Sequence, residues 1–560
     1  MKPGAQDELV FLPLGGSGEI GMNLNAYGYG PPEDRKWIIV DIGVTFGGDQ
    51  DTPGVDVIVP DPAYLEGEKD NILGIILTHA HEDHIGALGW LWPRFKAPVW
   101  ATPFTAALVR EKLRERGLLE RVKLTETPLK SRFSLGPFDI EYVTLTHSIP
   151  EPSGLAIRTP LGLIWHTGDW KIDPDPLIGE TTDVAALEAL REEGILAMVC
   201  DSTNVFVEGV SGSEGDVREH LIDVLKQCRG KVAVTAFASN VARLETTIRA
   251  AQACGRVVCL VGRSMHKVTN AAKSVGLLAG LPEFASEDEA GHLPPEHVLY
   301  LCTGSQGEER AALARIASGD HRHVALSEGD TVIFSSRVIP GNETAIYALY
   351  NRLAERGVEV ITDKDADVHV SGHPCRDELR QMYQWARPRI AVPVHGERRH
   401  ILEHVKLAYE LQTPEAVAPK NGDMIRLAPG KALVIDEVPA GRLYVDGVTL
   451  IEADTDALRE RKRIATEGVV TVAMAVSERK HTIVNGPDVR VRGLTMQDEE
   501  ELDLALEELA DVAEAAFNRM KHDDRANDDT AEAGVQRAVR KAAEKMWGKR
   551  PFVEVILMRV

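Results

Sequence analysis

The chain has 560 residues, which is too long for a single core. Hydrophobic residues make up 44% of it and charged residues 27%, which is the composition of a globular protein. The formal net charge of −23 argues against non-specific wrapping of nucleic acid, which relies on Lys and Arg neutralising phosphates, but it allows a narrow basic channel. No apolar run approaches the roughly 20 residues of a membrane span, and the N-terminus lacks the apolar stretch of a signal peptide, so we expect a cytoplasmic protein with no membrane partner.

Taken in chain order, the predicted elements divide the sequence into five segments. Short apolar runs separated by Gly, Pro and Asp turns predict the strands of an α/β domain over residues 1–213. Helical and strand patterns then alternate over 214–355, in the rhythm of a parallel doubly wound sheet. The first pattern returns over 356–430. We predict a linker with extra strands over 431–466 and a small α/β domain of β-α-α-β order over 467–560.

A glycine-rich segment near the start fits a dinucleotide-binding motif. Gly16–Gly21 matches G-x-G-x-x-G after a strand, and Asp41 lies 20 residues past the last glycine, at the end of another strand. That motif requires a helix after the glycines, but residues 22–32 alternate as an extended segment and end in a proline pair. We therefore expect a hairpin in which the glycines let the backbone turn close to the histidines at 79–84.

Residues 79–84 read His-Ala-His-Glu-Asp-His and follow an apolar run, so several metal-ligating side chains stand at the end of a predicted buried strand. No packing role requires them there. In extended geometry His81 and Asp83 would share a face, whereas His79 and His84 need a turn, so the segment can hold two different ions. A solvated polar turn that happens to be His-rich is the alternative interpretation.

Further candidate ligands stand at strand ends downstream, as expected if two ions require about eight to ten donors between protein and water. His147, Asp169 and His395 each follow an apolar strand closely, where a sheet presents side chains to a shared cleft. Each residue alone is more often ordinary than functional. Together with residues 79–84 they predict a metal cleft.

This pattern, with Asp41 ahead of it, resembles the metallo-β-lactamase fold, an αββα sandwich that carries a dinuclear metal cleft. Three further segments resemble the extra motifs of its β-CASP nucleic-acid-processing branch: Asp201–Asn204, His369–His373 and Val394–Glu397. Three others are closer still to the bacterial ribonuclease J family: Phe237–Asn240, Gly262–Met265 and Ser335–Glu343. The similarity covers essentially the whole chain. It implies an α/β fold in which a metallo-β-lactamase αββα sandwich carries an inserted doubly wound β-CASP domain and a small α/β C-terminal domain.

The resemblance also implies a ligand set for two ions. One ion would be held by His79, His81, His147 and Asp169, and the other by Asp83, His84, His395 and Asp169, so that Asp169 bridges them. Imidazole and carboxylate ligands suit zinc or manganese. Asp41 is expected to fix the ligand loop from outside the ligand set.

Catalytic and substrate-binding roles are implied in the same way. Asp83 would orient the attacking water or take its proton, His373 would stabilise or protonate the leaving group, and Asp201 would orient a histidine. The loop of His369, Val370, Ser371, Gly372 and His373 offers backbone N–H groups and a hydroxyl to phosphate oxygens. His369 fits a structural strand-end histidine equally well. Candidates for contacts with substrate phosphates are Ser239, Asn240, Ser336 and Arg337.

The activity implied by the family is degradation of single-stranded RNA in the 5′-to-3′ direction from a 5′-monophosphorylated end, with internal cleavage, in rRNA processing and mRNA decay. The RNA would thread under the inserted domain with weak sequence preference. A β-CASP nuclease acting on DNA and a non-catalytic scaffold of an RNA-degrading complex are the alternatives. A simple hydrolase of thioesters or lactams would not need the inserted domain.

Two further expectations come from the resemblance alone. The first is a structural calcium ion, for which Gly54, Asp56 and Asp446 are candidate ligands, although charged surface loops fit these residues equally well. The second is a homodimer or homotetramer formed through the C-terminal domain, with contacts to other RNA-decay proteins.

Overall fold

The computed structural model describes residues 6–47 and 52–560, and the chain forms two compact units. The first comprises the residues up to 45 together with 59–442, and the second comprises 46–58 together with 443–560. Among the helices of the described residues, none is long and apolar enough to cross a membrane.

The helices and strands are numbered here in chain order. Up to residue 213 they are β1 Glu8–Gly15, β2 Ser17–Gly18, β3 Leu24–Gly30, β4 Lys36–Val40, β5 Thr45–Phe46, β6 Val57–Pro60, α1 Ala63–Gly67, β7 Ile72–Ile76, α2 Glu82–Ile85, α3 Leu88–Phe95, β8 Val99–Ala101, α4 Pro103–Glu115, β9 Leu124–Glu126, β10 Arg132–Leu135, β11 Phe138–Thr144, β12 Ser153–Thr159, β13 Gly162–His166, α5 Val184–Glu193 and β14 Ile195–Asp201. From 214 to 361 they are α6 Glu214–Gln227, β15 Val232–Thr235, α7 Val241–Ala253, β16 Val257–Val261, α8 Arg263–Ser274, α9 Glu287–Gly291, β17 Val298–Cys302, α10 Ala312–Ser318, β18 Thr331–Phe334, α11 Glu343–Glu355 and β19 Glu359–Ile361. The remainder are α12 Arg376–Ala386, β20 Ile390–Val394, β21 Gly396–Glu397, α13 Arg398–Glu410, β22 Glu415–Ala416, β23 Asp423–Ala428, β24 Leu433–Glu437, β25 Arg442–Asp446, β26 Thr449–Glu452, α14 Asp456–Glu467, β27 Val469–Val476, β28 Ile483–Arg492, α15 Glu499–Arg519, α16 His522–Ala526, α17 Asp528–Trp547 and β29 Phe552–Arg559.

Two mixed sheets face each other in the first unit. One has the strand order β24-β23-β1-β3-β4-β7-β8-β9 and the other β10-β11-β12-β13-β14-β20-β22. Apolar side chains of both sheets, among them Phe11, Val40, Ile140 and Ile164, form one buried core between them. Helix α4 packs on strands β8 and β9 of the first sheet, and α5, α12 and α13 bury the outer face of the second. The predicted αββα sandwich is confirmed.

A third sheet is inserted between strands β14 and β20, which are parallel neighbours in the second sheet. Its strand order is β16-β17-β15-β18-β19, and every pair in it is parallel. Its strands alternate with helices α6 to α11 along the chain. The doubly wound unit predicted for this region is therefore confirmed. The chain enters the inserted domain after Asp201 at the end of β14, and it returns through a segment whose His373 lies 2.8 Å from Asp201.

The terminal part of the second unit has two elements, strand β28 and the short helix α16, beyond the predicted β-α-α-β order. A three-stranded sheet in the order β28-β27-β29 packs against α15 and α17. The short helix α16 lies between these two helices in the chain, so the order is β-β-α-α-α-β. Strand β28 escaped prediction because Gly486 and Pro487 interrupt it. Both residues are tolerated because β28 is an edge strand, where a missing backbone donor need not break a ladder hydrogen bond.

The segment predicted as a linker with extra strands, 431–466, is more structured than a linker. Strand β24 extends the first sheet of the sandwich by pairing with β23. Strands β25 and β26 form a hairpin, and helix α14 follows. The helix lacked a clear sequence signal because Leu458 is its one buried side chain and most of its residues are charged.

Candidate metal centre

The candidate ligands converge because the strands that carry them end at one edge of the sandwich. Strands β4 and β7 are parallel neighbours in the first sheet, and Asp41 and residues 79–84 follow them. In the second sheet β13, β14 and β20 run parallel, and Asp169, Asp201 and His395 lie at or just after their ends. Side chains at the carboxyl ends of parallel strands face a common crevice, which is where this cluster lies.

The seven predicted ligands form two groups that share one carboxylate. In each group the potential ligand atoms lie within 4.8 Å of one another: His79, His81, His147 and Asp169 in the first, and Asp83, His84, His395 and Asp169 in the second. The two sets are the ones that the family resemblance implies. Asp169 Oδ2 lies between them, 3.1 Å from His84 Nε2, 3.5 Å from His395 Nε2 and 3.8 Å from the Nε2 atoms of His79 and His147.

The backbone of residues 79–84 differs from the extended geometry considered for it. Helix α2 begins at Glu82, directly after His81, which keeps extended backbone angles. The helical turn carries Asp83 and His84 to the second group and leaves His81 with His79 in the first. The expectation that His81 and Asp83 share a face was wrong, because a short helix interrupts the alternation of side chains that a strand would impose.

Asp41 orients two of the histidines from behind. Its carboxylate accepts hydrogen bonds from the Thr78 backbone N–H and hydroxyl, both at 2.8 Å, and lies 2.7 Å from His84 Nδ1. Because the Thr78 hydroxyl donates to Asp41, it accepts at 3.0 Å from His79 Nδ1. Both rings therefore carry their proton on Nδ1 and turn Nε2 toward Asp169, an arrangement typical of metal-ligating histidines. The structure places Asp41 outside both groups, as expected.

Two further protein acceptors orient the remaining rings. The Gly372 carbonyl accepts from His147 Nδ1, and the Asn23 side-chain oxygen accepts at 3.0 Å from His395 Nδ1. His81 differs, since its Nδ1 lies 3.1 Å from His79 Nε2 and 3.0 Å from His147 Nε2 and thus faces the centre of the first group. Asn23 escaped the sequence analysis, although its position beside the glycines of residues 16–21 was an available signal.

The pKa values of the ligands follow from burial and from their mutual charges. Burial lowers the pKa of His79 and His147 well below the ordinary value and that of His81 to about 4, so these rings are neutral, as metal binding requires. Burial opposes charge on Asp169, but His395 and His84 hold the pKa of its carboxyl well below the usual range. Burial also opposes charge on His84, but Asp169, Asp83 and Asp41 raise its pKa well above the ordinary value, so cation binding there is linked to loss of a proton.

His373 lies beside the two groups. Its Nδ1 is 2.8 Å from Asp201 Oδ2 and 3.9 Å from Asp169 Oδ2, and its ring stacks on His395. Burial lowers the pKa of His373, but the Asp201 carboxylate outweighs that effect and raises the pKa to about 9. Asp201 is itself fixed, because Oδ1 accepts from the backbone N–H and hydroxyl of Thr203. A cationic imidazole is thus held at the edge of the candidate metal centre.

The loop around His373 is ordered by Asn204, which sequence analysis had placed only within a family motif. The Asn204 amide donates to the Ser371 hydroxyl at 2.8 Å and to the His373 carbonyl at 3.0 Å, and the His373 N–H donates to Ser371 at 3.2 Å. Val370 packs against Gly212, where an added Cβ would lie 2.7 Å from Val370 Cγ1. Burial, with the nearby Arg243 charge, lowers the pKa of His369 to about 3, so this ring is neutral.

The phosphate candidates of the inserted sheet lie where two neighbouring parallel strands end. Ser239 follows β15, and Ser336 and Arg337 follow β18. Arg337 is exposed, Ser239 is half-buried and Ser336 is buried. Asn240 is different, because it caps α7 by accepting from the Arg243 N–H at 2.9 Å and donates to Glu214 at 3.1 Å. These internal partners favour a structural role for Asn240 over the predicted contact with substrate.

The glycine-rich segment forms a turn beside the centre and not a nucleotide site. Strands β1 and β3 pair antiparallel on either side of it, and no helix follows the glycines. The Gly16 carbonyl accepts from the His395 N–H at 2.6 Å, and a Cβ on Gly21 would lie 3.6 Å from Asp83 Cβ. With φ of 84° and 95°, both glycines adopt backbone conformations that other residues rarely adopt. The predicted hairpin close to the metal ligands is what the structure shows.

Two of the three calcium candidates, Gly54 and Asp446, lie near Arg461. Asp446 Oδ2 accepts from Arg461 Nη2 at 2.7 Å, and a Cβ on Gly54 would lie 3.4 Å from Arg461 Nη1. Among the described residues, the groups of three or more potential metal-ligating side chains do not include Asp56 or Asp446. A calcium ion there stays a prediction.

Four family models match successive parts of the chain. Residues 25–169 match the metallo-beta-lactamase superfamily, and 229–353 match the ribonuclease J beta-CASP domain. Residues 357–419 match the Zn-dependent metallo-hydrolase RNA specificity domain, and 456–560 match the ribonuclease J C-terminal domain. The first and third of these segments contain the candidate metal ligands, so the matches imply use of divalent metal and binding of RNA.

Relatives named ribonuclease J match over nearly the whole chain. The protein from Sinorhizobium meliloti is 47% identical and covers 99% of this chain and 98% of its own length. The protein from Mycolicibacterium smegmatis is 37% identical over 98% of this chain and 97% of its own length. A crystal structure of a protein of unknown function from Enterococcus faecalis shares the fold, with a TM-score of 0.51, 16% identity, and coverage of 75% of this chain and 100% of its own. Since the identity extends over every domain, this chain belongs to the ribonuclease J family and is a metal-dependent RNA phosphodiesterase.

Proposed function

We propose that the two groups around Asp169 hold two divalent ions, zinc or manganese, and that the protein degrades single-stranded RNA from a 5′-monophosphorylated end toward the 3′ end and also cleaves internally. The observation that carries the proposal is the convergence of five imidazoles and the Asp83 carboxylate on Asp169, with the His373 imidazole beside them. Such a site serves phosphodiester hydrolysis in the processing and decay of RNA.

The residues present fit a pair of ions. Asp169 Oδ1 is buried and makes no hydrogen bond within the described residues, which is a costly arrangement unless a cation or other partner completes it. His79, His84, His147 and His395 each give one ring nitrogen to a protein acceptor and turn the other toward Asp169. Mixed imidazole and carboxylate ligands suit zinc or manganese. When bound, such ions supply positive charge to a phosphodiester and favour deprotonation of water at neutral pH.

Three side chains, Asp83, His373 and Asp201, have separate roles in the proposed reaction. Asp83 has the most exposed carboxylate of the ligand set, with 29% of its side chain accessible, so it can contact water or substrate. We assign to it the orientation of the attacking water or the removal of its proton. His373 is within reach of the same cleft and carries a proton, which suits it to protonate the leaving oxygen. Asp201 keeps that imidazole protonated and oriented.

The inserted sheet offers side chains that could contact the phosphates of the RNA strand. Ser239, Ser336 and Arg337 lie at the carboxyl ends of its strands, the usual position of ligand contacts in parallel sheets. Contacts to phosphates and not to base edges would give weak sequence preference. Ser371 and the backbone of residues 369–373 would hold the phosphate nearest to His373.

The proposal is tested with purified protein reconstituted with zinc or manganese and end-labelled RNA. A 5′-monophosphate RNA should yield mononucleotides faster than the same RNA with a 5′-hydroxyl, and a 5′-blocked RNA should be cut only internally. His81→Ala should abolish all three reactions; full activity in that variant would refute the mechanism. Competition between matched RNA and DNA strands decides between this function and a DNA nuclease.

Self-association through the terminal domain is a separate part of the proposal. Strand β29 is an edge strand of its sheet, and its outward-facing Ile556 and Met558 are 42% and 52% exposed. Exposed apolar residues on an edge strand favour association with another chain, either a second copy or another RNA-decay protein. Light scattering should give a homodimer or homotetramer mass that falls in a double variant, Ile556→Asp with Met558→Asp. An unchanged mass rejects this surface.

Metal content tests the remaining alternative, because a non-catalytic scaffold of an RNA-degrading complex would be favoured if the protein bound no metal.

A further inference from the structure

A buried ion pair lies where the chain enters the inserted domain. Glu214, the first residue of α6, and Arg243 in α7 are both at most 1% exposed. Arg243 Nε and Nη2 donate to the two carboxylate oxygens of Glu214, each at 3.0 Å, in the paired geometry that an arginine fork provides. Glu214 is also linked to the segment that follows a candidate metal ligand. Its backbone N–H donates at 3.0 Å to the carboxylate of Asp173, four residues after Asp169.

The third nitrogen of the same guanidinium reaches the point where the chain returns to the sandwich. Arg243 Nη1 donates to the Val368 carbonyl at 3.2 Å and to the carbonyl and hydroxyl of Ser335 at 2.9 and 2.7 Å. The Ser335 hydroxyl in turn donates to the Val368 carbonyl at 2.6 Å. One side chain thus joins the outgoing chain, the end of β18 and the first residue of the segment from Val368 to His373, which we name the return loop.

The return loop delivers two groups to the candidate metal centre. The Gly372 carbonyl accepts from His147, and His373 meets Asp201 at 2.8 Å. The loop lies between β19 and α12 and has no helix or strand of its own. Asn204 holds its far end through Ser371 and His373, and Arg243 with Ser335 hold its near end at Val368. A loop fixed at both ends has little freedom to move His373.

Stability alone is a weak explanation for burying this pair. Two charges lose their hydration on burial, and well-packed apolar residues often serve stability as well or better. What an apolar pair cannot do is make several directed hydrogen bonds at once. Lysine could not replace the arginine either, because an ammonium lacks the planar fork that spans Glu214 and Val368 together.

We propose that Arg243 is a positioning residue for phosphodiester hydrolysis, which fixes the return loop so that His373 reaches its place beside the metal centre. Arg243 is not one of the candidate metal ligands; it acts through the Val368 backbone. The inference rests on the proposed role of His373 and deepens it, by making the geometry of the catalytic loop depend on the seating of the inserted domain.

The test compares Arg243→Lys and Ser335→Ala with Arg249→Lys, a change on the same helix at a residue that is 39% exposed and pairs only locally. For Arg243→Lys we expect kcat on RNA to fall about 10- to 100-fold with little change in KM, since a displacement of about 1 Å at a catalytic group has effects of that size. Ser335→Ala should show a smaller loss of the same kind. Arg249→Lys should match the unsubstituted protein, and bound metal should be equal in all four.

A double-variant cycle separates positioning from mere loss of structure. If Arg243 acts through His373, then Arg243→Lys should cause little further loss in a His373→Ala background, whereas independent effects would multiply. Multiplying losses, a rise in KM with unchanged kcat, or full kcat in both Arg243→Lys and Ser335→Ala would overturn the inference. Should Arg243→Lys fail to fold, the cycle with Ser335→Ala decides in the same way. Lack of RNA hydrolysis by the unsubstituted protein contradicts the proposed function itself, and is thereby distinguished from failure of this inference.

Discussion

The metal centre and the Arg243 pair are both buried polar clusters of the same unit, but they differ in whether their atoms have partners. All three nitrogens of the Arg243 guanidinium donate to protein acceptors. At the metal centre, ring nitrogens crowd around Asp169, and Asp169 Oδ1 has no hydrogen-bond partner among the described residues. We call a cluster closed when its polar atoms are all paired within the protein, and such a cluster fixes geometry. We call the cluster around Asp169 open, because ring nitrogens gathered around a carboxylate with an unpaired oxygen are arranged to bind a cation.

His404 provides the same contrast for a single residue type. It is fully buried, and its Nδ1 and Nε2 lie 2.9 Å from the Ser202 hydroxyl and 3.1 Å from the Tyr383 hydroxyl. Both ring nitrogens are satisfied within the protein, so none is left for an ion. Histidine content alone therefore does not define a metal site. What defines it is that each histidine has one ring nitrogen bonded to the protein and turns the other toward the remaining ligands.

The largest effect is expected from removing the shared carboxylate. Asp169→Asn deprives both groups of their common anionic ligand, so we expect bound metal to drop and RNA hydrolysis to fall to background. Elemental analysis and an end-labelled RNA assay measure the two quantities. His404→Gln is the matched control and should retain its metal. If Asp169→Asn kept both ions, the contrast between open and closed clusters would be broken.

Removal of the catalytic imidazole should have a smaller effect that leaves the metals in place. In His373→Ala we expect kcat to fall about 10²- to 10⁴-fold, the range typical of lost general acid catalysis, while metal content stays that of the unsubstituted protein. Kinetics with RNA and metal analysis on the same sample measure this. A loss of metal in His373→Ala would instead make His373 part of the ligand set.

A still smaller effect is expected from the group that orients His395. Asn23→Ala removes the acceptor of His395 Nδ1, and loss of such a supporting hydrogen bond typically costs about 10- to 100-fold in metal affinity. Titration with manganese, read out as RNA hydrolysis, measures the shift. Asn71→Ala serves as the control, because its partners are Lys36 and Glu68. Equal affinities in the two variants would mean that Asn23 does not support the ligand.

The sequence revealed the ligands and the sheets because both leave local signals. Histidines and aspartates directly after apolar strands predicted a shared edge, and the family motifs supplied the sorting into two groups. The turn at Glu82 was missed, because a four-residue helix inside a run of ligands has no periodicity of its own. Strand β28 was missed because Pro487 argues against a strand unless it is known to lie at an edge.

The roles of Asn23 and Arg243 could not be predicted for a different reason. Each acts on residues far along the chain, Asn23 on His395 and Arg243 on Val368. Such contacts depend on how the inserted sheet and the sandwich pack, which no local pattern encodes. Residues with tertiary roles of this kind can be recognised only when the three-dimensional structure shows their partners.

The open cluster around Asp169 is expected to hold two ions that RNA hydrolysis requires. The most direct measurement is to strip the protein with a chelator, add manganese or zinc stepwise, and record bound ions and RNA hydrolysis in the same samples. We expect binding to saturate at two ions per chain, with no activity in the absence of metal and maximal activity once the second ion is bound. Full hydrolysis by the stripped protein, or saturation at a single ion, would contradict this expectation.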